Sequence, residues 1–309
     1  MPLYLILWVV IQILSSLIIK SPLTTALAMA APVLTPIVGN LLFYSLNLVL
    51  VLLMTWWMAR VIDHRALVDL GLQIDRHWWL DLCFGLLLGA LLMTLIFGVE
   101  WLLGWAAVIG YFHVGVANAR FLVMIWQPIL LFVVVGINEE LLARGYQLRN
   151  LAEGLQIAAI SPRGAVILAW LFSSTLFGLL HILNPNSTWV STVALMLAGV
   201  FLGLGYVLTG RLGLSIGLHM TWNFFQGSVY GFPVSGNELS TISFIAIHQT
   251  GPPLWTGGAF GPEAGLMGIS AIFIGSVLTL AWVQWRYGQL TIQTELAHYS
   301  GRNGHIRSK

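Results

Sequence analysis

Apolar residues in this chain come in blocks about as long as a bilayer is thick, and polar positions gather in the gaps between them. A membrane-spanning helix needs about 20 predominantly apolar residues. On that template eight segments stand out: 3–19, 38–58, 80–108, 121–143, 164–183, 188–209, 212–232 and 264–285. The pattern predicts an all-α membrane protein, a bundle of about eight transmembrane helices enclosing an intramembrane polar cavity. The first segment is short, and the third is long enough to tilt or break, with Glu100 marking the place. No internal repeat, low-complexity stretch or linker interrupts the series. Residues 1–288 therefore read as one polytopic domain, followed by a polar, mobile cytoplasmic tail at 289–309.

Two gaps carry patterns of their own. Asp63 to Trp79 mixes charges with Leu67, Leu70, Leu72 and Ile74. It reads either as a surface-lying amphipathic helix anchored by Trp78 and Trp79 or as a solvated loop. Pro233 to Glu263 is rich in Gly, Pro and Ser. Such a loop can cap the bundle or line an access path, although turn chemistry alone explains its glycines.

Composition excludes a soluble domain: 58% of residues are hydrophobic, 8% are charged and the mean hydropathy is +0.89, whereas soluble domains average about 25% charged. The net charge of +2 is less informative than its placement. With eight spans and an inside N-terminus, the inner segments hold Arg60, Arg65, Arg76, Arg144, Arg149, Arg163, Arg211, Arg286, Arg302, Arg307 and Lys309. Only Lys20 and Arg120 fall outside. Basic residues concentrate on the cytoplasmic side, so both termini are expected there, in a multi-pass protein of the cell membrane. The N-terminus has no basic stretch before its apolar run and no small-residue cleavage site, which favours a retained helix over a signal peptide. The single cysteine, Cys83, excludes an internal disulfide and a Cys–His metal cluster, and within an apolar run it reads as an inert core thiol.

Against this background three polar groupings demand a reason. Gly136-Ile-Asn-Glu-Glu-Leu-Leu-Ala-Arg-Gly145 puts two carboxylates at the end of an uncharged run, where ionised groups are costly. Glu140 and Arg144 are spaced to pair on one helical face. Glu139 is rotated about 100° away and faces something else. Gly145 removes a side chain where a neighbour can approach. Phe177-Gly-Leu-Leu-His181 ends an apolar helix in an imidazole, and His219-Met-Thr-Trp-Asn223 sets a His and an Asn on one face. Each has a plain structural reading by itself: a histidine bonded to a carbonyl, or an ion pair tying helices together. Together they suit hydrolysis, in which a carboxylate beside an imidazole deprotonates water and a His–Asn pair supplies donors for an oxyanion.

Other chemistries fit less well. There is no His-Glu-x-x-His helix for zinc. Gly213-Leu-Ser-Ile-Gly217 matches a nucleophile-elbow pattern, but it opens an apolar helix rather than a strand–turn–helix. No Gly-rich phosphate loop precedes a helix in the way a nucleotide-driven pump requires.

The ordered set Glu139-Glu140-x-x-x-Arg144, Phe177-x-x-x-His181 and His219-x-x-x-Asn223 resembles the three motifs of the CPBP intramembrane proteases. That family includes the type II CAAX prenyl endopeptidases and the bacteriocin-processing Abi proteins. The resemblance covers about residues 121–232 and implies roles by position. Glu139 with His181 activates water, His219 with Asn223 stabilises the oxyanion, and Glu140 with Arg144 supports the site. It implies no cofactor, with zinc on Glu139, His181 and His219 as the lesser alternative. One departure is Leu142-Ala143 before Arg144, where many relatives carry Phe.

The expected activity is cleavage of a membrane-associated protein or peptide. The partners are that substrate and the bilayer, not nucleic acid, and the oligomeric state stays open. Two competing readings are a non-catalytic peptide-binding or immunity relative and a proton-relay transporter, the latter expected to show inverted repeats that are absent here. The topology also poses a conflict. Gly164 to His181 is a climb of about 26 Å, which puts His181 far from a Glu139 near the inner end of helix four. The conflict disappears if helix four continues to about Arg149, helix five enters later than its apolar pattern suggests, and the cavity opens to the cytoplasmic side.

Overall fold

The computed structural model describes residues 2–19, 26, 34–239 and 241–299. Lys20, Arg302, Arg307 and Lys309 lie outside the described residues. Each of the eight apolar segments folds as a helix: α1 (Pro2–Ile19), α2 (Leu34–Trp57), α3 (Arg76–Leu102), α4 (Phe121–Gly154), α5 (Pro162–Leu180), α6 (Trp189–Thr209), α7 (Gly213–Phe224) and α8 (Leu266–Tyr287). Among the described residues six helices, not eight, are long and apolar enough to cross a membrane. The first contributes only Pro2–Ser15 as its apolar stretch. The seventh is α-helical for 12 residues before a π-helical turn, Phe225–Val229. Twelve residues rise about 18 Å, short of a hydrocarbon core about 30 Å thick.

The third segment was read too far. α3 stops two residues after Glu100, Gly104 turns the chain at φ +72°, and Ala106–Val114 becomes strand β1. β1 pairs antiparallel with β2 (Ile242–Gln249), with a bulge between Val108 and Gly110. Glu100 thus marks the helix end rather than a kink, and its buried carboxylate accepts a hydrogen bond from Gln249 Nε2 on β2 at 2.8 Å. This ribbon is the one sheet among the described residues of a helical bundle, and it defines one end of the molecule, here termed the sheet end.

Glycines set how closely α7 packs. Gly85 and Gly89 on α3 and Gly213 and Gly217 on α7 all lie in the contact between these two helices. A Cβ on Gly213 would strike the Trp78 carbonyl, one on Gly217 the Leu82 carbonyl and one on Gly85 the Leu214 carbonyl. Small residues four apart on both helices allow backbone-to-backbone contact. That accounts for the elbow-like Gly-Leu-Ser-Ile-Gly: its Ser215 is fully buried and donates to the Leu202 carbonyl at 2.6 Å, away from any reactive role.

The opposite, arginine-rich end is built from ion pairs and docked loops. Arg65 pairs bidentately with Glu153 at 2.8 and 2.6 Å, and Arg149 reaches the same carboxylate at 2.9 Å. Between Asp63 and Trp79 the structure adopts neither expected form. A short 3-10 turn at Leu67–Leu70 leads to Asp75, which caps α3 by accepting from Trp78 N–H at 2.9 Å. Trp78 is buried, its indole donating to the Gly71 carbonyl, and only Trp79 faces outward. The expected mobile tail is docked as far as Tyr299. Leu296 and Ala297 are buried, Gln293 N–H donates to the Val207 carbonyl at 2.8 Å, and the His298 carbonyl accepts from Arg149. Cys83 is exposed on α3 rather than held in the core.

Candidate active site

α4 is the spine of the site. Glu139 and Glu140 close its regular α-helical part, and the chain continues as a π-helix over Leu141–Leu148 before a last α-helical turn to Gly154. π-helical turns of this kind recur at functional sites. Helix four therefore does run deeper than its apolar pattern, as the depth conflict required. Helix five starts at Pro162. From Glu139 to Gly154 is about 22 Å and from Pro162 to His181 about 28 Å. The α4–α5 hairpin carries the surplus length at the arginine-rich end, so the two residues meet.

Around Glu139 the geometry is specific. Its Oε2 lies 4.0 Å from His181 Nε2 and 3.8 Å from His219 Nε2, and it makes no hydrogen bond to any described group. Both separations exceed a direct hydrogen bond and suit one bridging oxygen. His181 caps α5, and its Nδ1 lies 2.8 Å from the Phe177 carbonyl. A carbonyl only accepts, so Nδ1 carries the proton and Nε2 presents a lone pair towards Glu139 in the neutral ring.

Glu140 points the other way, fully buried. Its Oε1 accepts from Arg144 Nη1 at 2.9 Å and from His219 Nδ1 at 2.8 Å. Arg144 is anchored further by the Gly199 carbonyl at 2.7 Å, with the Phe177 ring over its guanidinium at 4.7 Å. One carboxylate thus holds both the arginine and the second histidine in place, which the helical spacing of Glu140 and Arg144 only half revealed. Phe177 touches Arg144, His181 and His219 and supplies aromatic packing. Leu142 and Ala143, the family departure, line the cavity instead. Gly145 admits the Leu70 carbonyl and Leu212, each 3.2 Å from where a Cβ would stand. Asn223, one turn beyond His219, faces the same cavity with no hydrogen bond among the described residues.

The cavity measures about 320 Å³. Its walls come from α4, α5, α6 and α7, with Trp8 of α1 and Ile272 of α8. Its remaining lining comes from the sheet end: Asn184 after α5 and Val234, Ser235, Asn237 and Leu239 of the loop expected to cap the bundle or line an access path. These loop residues lie at the end opposite the arginine-rich one. Sequence reasoning did not single out Asn184, Ser235, Asn237 or Glu263 as site residues, because each lies in a gap without helical periodicity. Among the described residues no group of three or more His, Cys, Asp and Glu is arranged to hold a metal ion.

Glu263 fixes that loop. Its carboxyl accepts from Ser235 N–H at 2.5 Å and Ser235 Oγ at 3.0 Å, and contacts Gln226 Nε2. Burial pushes it up to about 7, against the pull of the Ser235 and Gln226 donors, which favour the ionised form. A carboxyl raised above its ordinary 4.5 contributes stability that is complete below that value and lost as pH rises through about 7. Glu263→Gln is therefore expected to flatten the decline in melting temperature across that window. An unchanged pH profile in the variant would show that Glu263 does not carry the effect.

Residues 120–225 match the family model described as Rce1-like, Type II CAAX prenyl endopeptidase Rce1-like. No curated protein and no solved structure matches the chain. The matched stretch, about a third of the chain, contains Glu139, Glu140, Arg144, Phe177, His181, His219 and Asn223. Through this core the chain is similar to the type II CAAX prenyl endopeptidases of the CPBP family.

Proposed function

We propose that this protein is an intramembrane endopeptidase that hydrolyses a peptide bond of a membrane-associated protein or peptide. One observation carries the reading: the unpartnered Oε2 of Glu139, aimed at the Nε2 atoms of His181 and His219 from 4.0 and 3.8 Å inside a cavity. Glu139 takes a proton from a water held against His181 Nε2, and the hydroxide attacks the scissile carbonyl carbon. Negative charge forms on the carbonyl oxygen. Asn223 Nδ2–H donates to it, and His219 Nε2–H does so when both its ring nitrogens carry protons. Glu140 fixes the His219 ring through Nδ1 and balances that charge. The proton held by Glu139 passes to the leaving nitrogen as the C–N bond breaks, giving a carboxyl terminus and a free amine. A peptide-library cleavage assay in liposomes, comparing wild type with Glu139→Gln, tests the reading.

No step in this scheme calls for a cofactor. A catalytic zinc typically takes three protein ligands and leaves one position for water. Glu139, His181 and His219 supply that number only by giving up the roles above. Cleavage is expected to survive EDTA and phenanthroline, and purified protein to contain no stoichiometric zinc. Activity lost to chelators and restored by zinc would turn the three residues into ligands.

A further inference from the structure

The two ends of the bundle differ in charge, and the cavity is finished by only one of them. Among the described residues, Arg60, Arg76, Arg163, Arg211 and Arg286 gather with the buried Arg65–Glu153 network at the arginine-rich end, whereas Arg120 is the one Lys or Arg at the sheet end. Short basic loops stay in the cytoplasm during insertion, which makes the arginine-rich end cytoplasmic. The cavity lining follows the opposite end. α5 finishes there in His181, and Asn184 Nδ2 ties its following loop to the Ser235 carbonyl at 2.8 Å. Asn237 and Leu239 complete the lining on that side.

We infer that the catalytic cavity is reached from the extracytoplasmic face, so that the substrate is a peptide segment exported to, or displayed on, that face rather than a chain tail presented from the cytoplasm. This deepens the endopeptidase reading and rests on it. The chemistry of the rim fits such a ligand. Asn184, Ser235 and Asn237 offer amide and hydroxyl groups that match peptide N–H and C=O. The carboxyl lining the cavity beside them, Glu263, is occupied by Ser235 and Gln226. The wall beyond His219 is apolar, with Leu195, Ala198 and Phe201. The segment therefore carries an apolar side chain next to the scissile bond.

Side-specific labelling tests the orientation without relying on cleavage. Cys83→Ser removes the single native thiol. In that background Leu183→Cys and Glu238→Cys place thiols on exposed positions of the two rim loops, and Gln156→Cys places one on the exposed α4–α5 connection. In intact cells a membrane-impermeant maleimide is expected to label Leu183→Cys and Glu238→Cys, and to reach Gln156→Cys only after permeabilisation. The reverse pattern overturns the inference and leaves the endopeptidase reading standing. The Glu139→Gln comparison uses detergent-solubilised or liposomal protein open to both faces, so its failure overturns the protease reading while the labelling pattern still reports orientation.

Discussion

Glu139→Gln is expected to abolish cleavage while the protein stays folded. The amide reproduces the shape of the carboxylate, so packing around α4 is preserved, but it cannot take a proton from water. Glu139 contributes little to the fold. Its side chain is 23% exposed, and Oε2 has no described hydrogen-bond partner. The neighbouring ion pair, in which Arg144 and His219 converge on Glu140, is untouched by the change. Removing a general base costs about 10²-fold or more in turnover, so the variant should fall at least that far, with a melting temperature close to wild type. Turnover above about a tenth of wild type, a loss too small for a missing base, would remove Glu139 from its role. A collapse in melting temperature would reassign it to structure. The proposed catalytic role of that one oxygen is thus separable from its modest structural contribution.

Much of this site was legible because helical geometry is local. Spacing of four residues put Glu140 with Arg144 and His219 with Asn223, and the motif order then drew in Glu139 and His181. The same locality explains what stayed hidden. That Glu140 also holds His219 depends on a contact between residues 79 apart in sequence, which no periodicity records. The six-helix count escaped because hydropathy sees α7 and its π-helical continuation as one apolar run. The glycine contacts with α3 that hold this short helix in place have no hydropathic signature. β1 was absorbed into helix three for a related reason. Its Val, Ile, Tyr and Phe are as apolar as the preceding leucines, and only their strand preference tells them apart. The docked tail and the Glu263 loop are polar stretches whose order comes from single long-range hydrogen bonds, to the Val207 carbonyl and from Ser235 N–H.

His219→Ala and Asn223→Ala should each slow turnover by about 10²–10³-fold with little change in substrate affinity, the range seen when one oxyanion donor is lost. The two residues lie one turn apart on α7, on the face that lines the cavity beside Glu139. Asn223 has no competing hydrogen bond among the described residues, so its removal leaves no buried group unpaired. His219 is tied through Nδ1 to Glu140 at 2.8 Å, but Glu140 keeps Arg144 when the ring is lost, so the core charge remains paired. Because both donors serve one oxygen, the double variant should lose less than the product of the single losses. Effects confined to KM would move both residues from oxyanion stabilisation to substrate binding.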